Sequence, residues 1–187
     1  MATVREGDQA ALLVVDVQVG VMQEAWDASR VIGQVARTVQ RAREEGVPVV
    51  WVQHTSEDEL PSGSPPWQWV PALQPAPGEA LIHKQFNSAF EQTTLNEVLA
   101  GLGVSHIVLA GASTNWCIRA TAYGALERGY DLTLVADAHS TSPLTLEDGS
   151  RIEADAVVRE LNTVMRWLSY PGRRNAAVAV GHLRFTA

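Results

Sequence analysis

Residues Ala10 to Val15 read AALLVV, six apolar residues without a polar interruption, and Asp16 follows at once. A half-exposed strand would alternate apolar and polar positions. An unbroken apolar run of strand length instead suits a strand covered on both faces, as in a parallel sheet with helices above and below. Segments of this kind recur along the chain: VPVVWVQH ending at His54, EALIHK ending at Lys84, VSHIVLAG, YDLTLVAD and a last short AAVAV. Helical patterns lie between them. Asp27 or Ser29 can cap a helix through about Glu45, with Val31, Ile32, Val35 and Val39 at helical spacing and Gly46 to end it. TTLNEVLAGLG reads as a short helix, residues 114–128 as a helix stopped by Gly129, and residues 150–169 as a long one. Strand and helix in alternation predict an α/β fold with a parallel sheet of about six strands and right-handed crossovers. In such sheets, ligands bind beyond the carboxyl ends of the strands.

One segment breaks the rhythm. Residues 55–78 are rich in Pro and carry Trp67 and Trp69. The strand pattern resumes directly afterwards, so this reads as a long excursion inside one domain of residues 1–187, and loops of that length usually have a function. The 187 residues are 46% hydrophobic and 19% charged, which suits a globular chain with a real core. Fourteen Lys and Arg against 21 Asp and Glu give a net charge of -7. That balance argues against nucleic acid or an anionic membrane as partner. The N-terminal stretch lacks the apolar core of a signal peptide, and no apolar run is long enough to span a bilayer, so a cytoplasmic location is expected. The single cysteine, Cys117, rules out an intramolecular disulfide.

Three chemical groups fall at strand ends. Asp16 follows the first strand, Lys84 ends the third, and Cys117 lies just after the fourth, at the mouth of a helix. In a parallel sheet these ends share one edge. Each residue alone has an ordinary reading: a turn former, a solvated strand end, a small buried hydrophobe. Together they make chemical sense. A thiolate is a nucleophile, and a nearby cation and a helix N-terminus both lower a thiol's pKa. Asp16 can take its proton, Lys84 can hold carboxylate and thiolate in place, and amides at Cys117 and the preceding turn can stabilise an oxyanion.

The blocks LLVVDVQ with Asp16 and Gln18, HKQFNSAF with Lys84, and VLAGASTNWCIRATAYGALERGY with Cys117 resemble the isochorismatase-like cysteine hydrolases. That family includes nicotinamidases, N-carbamoylsarcosine amidohydrolases, streptothricin hydrolases and isochorismatases. The resemblance covers roughly residues 10–170. It implies a doubly wound α/β/α domain, an Asp16, Lys84 and Cys117 triad, and a cis peptide before Ser113. The last would turn the Ser113 amide, with that of Cys117, into an oxyanion hole. It also implies a homodimer or higher homo-oligomer.

The chain departs from nicotinamidases where their Asp-x-His-x-His metal motif would fall. His54 is the only histidine there; with Asp58 and Glu59 it offers ligand chemistry in principle, but a lone histidine at a strand end more often has another role, and neither a metal nor another cofactor is expected. Cys117 favours an amide, carbamoyl or lactam C–N bond of a small molecule, cleaved through a thioester. Candidate pocket residues are Gln18, Trp26, His54, Trp67, Trp69, Phe86, Phe90, Trp116 and His139. In the WQW stretch, alternate positions point to different sides, one to the pocket and the other to a neighbouring subunit. His139 can equally serve as a hydrogen-bonding support. Two alternatives stand beside this reading: an isochorismatase-type hydrolase of a vinyl-ether C–O bond with Cys117 a bystander, and a non-catalytic oligomeric member. A dinucleotide-binding role lacks its Gly-x-Gly-x-x-Gly turn, and a thioredoxin-like role its second cysteine.

Overall fold

A computed structural model describes Ala2 and residues 5–186. The reading of the N-terminal stretch rests partly on Met1, Thr3 and Val4, which lie outside the described residues. Among the described residues eight strands are present: β1 Gln9–Val15, β2 Val49–His54, β3 Ala80–Lys84, β4 Val104–Ala112, β5 Asp131–Ser140, β6 Leu144–Thr145, β7 Arg151–Ile152 and β8 Asn175–Val178. Six of them form one sheet in the order β3-β2-β1-β4-β5-β8, and every pair in it is parallel. β1 and β4 occupy the centre, which is why their apolar runs are unbroken: all nine residues of β4 are buried. The chain starts centrally, winds outward through β2 and β3, then returns to β4 and winds the other way. That reversal opens a crevice at the carboxyl ends of β1 and β4.

Five α-helices accompany the strands among the described residues: α1 Val19–Met22, α2 Ala28–Glu44, α3 Leu95–Gly101, α4 Arg119–Glu127 and α5 Ala154–Trp167. Val31, Val35, Val39 and Ala42 of α2 lie on one stripe and pack against Leu12, Val14 and Trp51 on one sheet face. Leu95 and Leu99 of α3, Ala122 and Ala125 of α4, and Leu161 and Met165 of α5 fill the opposite face with Leu13, Ile107 and Leu109. Leu12 and Leu13 go to different cores because successive strand side chains alternate.

Two helices differ from the sequence expectation. The segment expected as one helix from Thr114 begins as a π-helical turn, Thr114–Ile118, and becomes α-helical only at Arg119. The last long helix starts at Ala154, because Arg151 and Ile152 pair antiparallel with Thr145 and Leu144 as a two-stranded ribbon.

The Pro- and Trp-rich excursion is tied down along its length. Val19 and Gly20 N–H donate to the Gln68 and Pro66 carbonyls, and Val70 N–H donates to the Val17 carbonyl. Gln18 bridges to Trp69 in antiparallel fashion, so the excursion lies along the continuation of β1. Its own Leu60, Val70 and Leu73 are buried.

Candidate active site

The sheet edge brings Asp16, Lys84 and Cys117 together, each by a different local device. The chain leaves β1 through Asp16 at φ 51°, in the left-handed region that Asp tolerates better than most residues. The Asp16 N–H donates to the Val52 carbonyl at 2.8 Å, and its side chain is 1% exposed. Opposite Val15 stands Gly111 at φ 127°, where a Cβ would lie 2.0 Å from the Val15 carbonyl oxygen. Only glycine lets β4 pass this close to β1 just before Asp16. Lys84 ends β3 and is in register with His54 of β2, which puts both side chains on one face. Cys117 is the fourth residue of the π-helical turn, entered through a cis peptide between Ala112 and Ser113.

Lys84 is the hub. Its Nζ donates to Cys117 Sγ, His54 Nδ1 and the Phe86 carbonyl, each at 3.2 Å. It also sits 2.6 Å from Asp16 Oδ2. That last contact has ion-pair distance but not hydrogen-bond direction, and both Asp16 oxygens are buried without a hydrogen-bond donor among the described residues. The thiol also faces the Asp16 carboxylate and lies 4.0 Å from Asn87 Oδ1.

Charge states follow from burial and neighbours. Burial pushes the Cys117 thiol up to about 12; the Asp16 carboxylate pushes the same way, and Lys84 opposes without prevailing. Of the two influences expected to favour the thiolate, the Lys84 ammonium does act in that direction, but burial outweighs it. Burial alone would lower Lys84, but Asp16 and Cys117 hold its ammonium above the ordinary lysine value. The free site therefore holds an ammonium and a neutral thiol beside a carboxylate.

A cavity of about 390 Å³ opens beside Lys84, with Thr55, Trp67, His83, Phe86 and Gln92 among its walls. Trp67 donates from Nε1 to Thr55 Oγ1 at 2.9 Å and stacks on His83 with 5.9 Å between ring centroids. Phe86 is substantially exposed there, and Trp116, next to the thiol in sequence, is 52% exposed. Trp26 is also exposed, with the Arg30 guanidinium 5.7 Å from its ring and its backbone tied to Thr141. A larger cavity, about 530 Å³, lies at the other edge of the sheet among His106, Asp131 and Asn175, away from the thiol.

Four of the candidate pocket residues have other work. Trp69 is buried against Trp51, edge to face at 5.2 Å, in the core on the α2 side. Phe90 is buried in the opposite core and stacks on Tyr130. Gln18 is fully buried, donating from Nε2 to the His54 and Trp67 carbonyls and accepting the His54 N–H at Oε1. His139, 1% exposed, contacts Thr114 Oγ1 through Nδ1 and Asn162 Oδ1 through Nε2. Asn162 donates its amide to the Ala136 carbonyl, which fixes its oxygen toward the ring. His139 therefore carries its proton on Nε2 and accepts from Thr114, and burial lowers it to about 4. Asn87 was not singled out in the sequence, although it stands in the same block as Lys84. Among the described residues no group of three or more His, Cys, Asp or Glu is placed to hold a metal ion, and no helix is long and apolar enough to cross a membrane.

A six-stranded doubly wound sheet with a carboxylate, an ammonium and a thiol at its central crevice narrows the class considerably. Residues 10–165 match the isochorismatase domain, and the chain belongs to the isochorismatase family. As a likeness only, the chain is 33% identical over 145 residues to a streptothricin hydrolase of Streptomyces noursei, covering 74% of this chain and 57% of that protein. The chain spans about half the length of the streptothricin hydrolases it matches. A ureidoacrylate amidohydrolase of Methylorubrum extorquens is 27% identical over 96% of this chain and 86% of its own. Among solved structures, an isochorismatase from Pseudomonas putida superimposes with a TM-score of 0.84 at 26% identity, over 94% of this chain and 90% of that one.

Proposed function

We propose that this chain is a cysteine amidohydrolase that cleaves a C–N bond of a small amide, carbamoyl compound or lactam through a thioester. One observation carries the reading: a single buried ammonium touches both the Asp16 carboxylate, at 2.6 Å, and the Cys117 sulfur, at 3.2 Å. The name of the ureidoacrylate amidohydrolase relative points to the same bond class.

A thiol held neutral needs a base at the moment of attack, and Asp16 is the carboxylate in reach. It takes the thiol proton as Sγ bonds to the substrate carbonyl carbon. The carbonyl electron pair moves to oxygen, and the amides of Ser113 and Cys117 receive the oxyanion. Collapse of that intermediate breaks the C–N bond, and Asp16 returns its proton to the leaving nitrogen. Water then attacks the thioester with Asp16 again as base, releasing the acid and restoring the thiol. Lys84 stays protonated throughout and balances the charge that passes between carboxylate and sulfur.

Cys117→Ala is expected to fold normally and lose turnover entirely in a screen of small amides, carbamoyl compounds and lactams read out by ammonia or free amine. Mass spectrometry is expected to find an acyl adduct on Cys117 of the wild type when deacylation is slowed. More than a tenth of wild-type activity in the Ala variant would remove the covalent route. Activity is also expected to survive EDTA followed by dialysis; a stoichiometric metal whose removal abolishes turnover would contradict the metal-free reading.

A further inference from the structure

We propose that His54 is a positioning residue for the reaction: its neutral ring accepts one hydrogen of the Lys84 ammonium at Nδ1 and so aims another at Cys117 Sγ. The proposal rests on the cysteine reading above, but its first test does not.

An ammonium has three hydrogens and no lone pair. Lys84 has three directed acceptors, namely His54 Nδ1, the Phe86 carbonyl and Cys117 Sγ, each at 3.2 Å. With two of the hydrogens held by His54 and Phe86, rotation about the Cε–Nζ bond is stopped, and the third is left to Cys117 Sγ and to Asp16 Oδ2, 2.6 Å away. Because Lys84 can only donate, Nδ1 must present its lone pair and the His54 proton must reside on Nε2. The backbone around His54 keeps the ring in place. Its N–H and carbonyl are both bonded to the Gln18 side chain, and its register with Lys84 fixes the shared face.

The charged and titratable groups facing the ring are Lys84 from β3, Asp16 from the end of β1, and Glu59 from the excursion, with Cys117 beyond the ammonium. Burial lowers the His54 pKa, and Lys84 lowers it further against the opposing pull of Asp16 and Glu59. Protonating His54 would remove the acceptor and set a second cation against the first. The aimed hydrogen matters most when sulfur gains negative charge, so losing His54 affects nucleophile formation more than substrate binding.

Nitrogen-15 NMR of the imidazoles in the wild-type protein at pH 7.5 tests the arrangement, with His54 assigned by its absence in His54→Asn. The expected spectrum has Nε2 protonated and Nδ1 bare, and the His54 titration midpoint rises in Lys84→Met. A proton on Nδ1 in the wild type overturns the proposal, even should the Met variant fail to fold. The role is tested with iodoacetamide as probe, by following alkylation of Cys117. His54→Asn keeps an acceptor and is expected within about threefold of wild type, whereas His54→Leu is expected to be slower by about tenfold or more, the scale of one hydrogen bond to a charged group. Equal rates in Leu and Asn variants would overturn it. An active Cys117→Ala enzyme would sink the thioester mechanism and leave the His54 tautomer as measured, so the two failures are distinguishable.

Discussion

Asp16 acts on Cys117 in two opposed ways. As a buried negative charge it makes the thiol harder to ionise; as the adjacent carboxylate it is the group that can take the proton. Replacing Asp16 with Asn separates these effects, because the amide keeps the shape while losing charge and basicity. Turnover is expected to fall by about 10² to 10⁴, the range for removal of a general base. Alkylation of Cys117 by iodoacetamide near pH 8 is expected to become faster at the same time, because the charge that raised the thiol pKa is gone. A variant that turns over within threefold of wild type would dismiss Asp16 as the base. At this scale the sequence was informative about identity and not about ionisation. Three strand ends with compatible chemistry could be read off the pattern, but burial set the thiol's state, and burial is a property of the folded edge. Trp69 shows the same limit. Its partner, Trp51, is eighteen positions away on β2, and the bridge from Gln18 that holds it inward spans an even longer separation.

The elements β1, β2, β4 and β5 were legible because a strand buried on both faces has an unmistakable apolar run, whereas β3, at the end of the sheet, alternates between buried and exposed positions. The helix entrance was not. Helical spacing continues unbroken from Thr114 to Arg128, so periodicity does not reveal that the first five residues wind as a π turn. Nor does it reveal that Thr114 is moored through His139 to Asn162 of α5. That mooring has a stability consequence. His139 is buried neutral with a pKa of about 4 against 6.5 unfolded. Above pH 6.5 neither state binds its proton. As the pH falls from 6.5 toward 4 the unfolded chain binds one and the folded chain does not, so stability is lost across that window. The loss from this residue amounts to about 2–3 kcal/mol by pH 4.5. Urea unfolding at pH 7.5 and 4.5 is expected to show that drop in the wild type and a smaller one in His139→Gln. An identical drop in both would mean that His139 is not the group responsible. His54 and His106, also lowered by burial, act in the same direction and account for a remainder in the variant.

For the whole molecule we propose a homo-oligomer, and the structure relocates the reason for expecting one. The excursion looked like the exposed apolar surface, yet it buries Trp69, Val70 and Leu73. Among the described residues the most exposed large hydrophobic one is Trp167, the last of α5, at 82%. The chain then returns to the sheet as β8, the end strand of the order, whose outer edge is unpaired among the described residues. An exposed indole beside an end strand is a surface that soluble proteins generally cover. Covering Trp167 in an interface between copies contributes about 2–3 kcal/mol per chain. Light scattering at tens of micromolar is expected to give at least twice the chain mass of 20.2 kDa. The net charge of -7 opposes association of like copies, so added salt is expected to strengthen it. Trp167→Gln is expected to weaken association at least tenfold while leaving Cys117 alkylation unchanged, since the residue lies outside the candidate active site. A wild-type mass of one chain at that concentration would refute the oligomer, and an unaltered mass in the Gln variant would show that copies meet through another face.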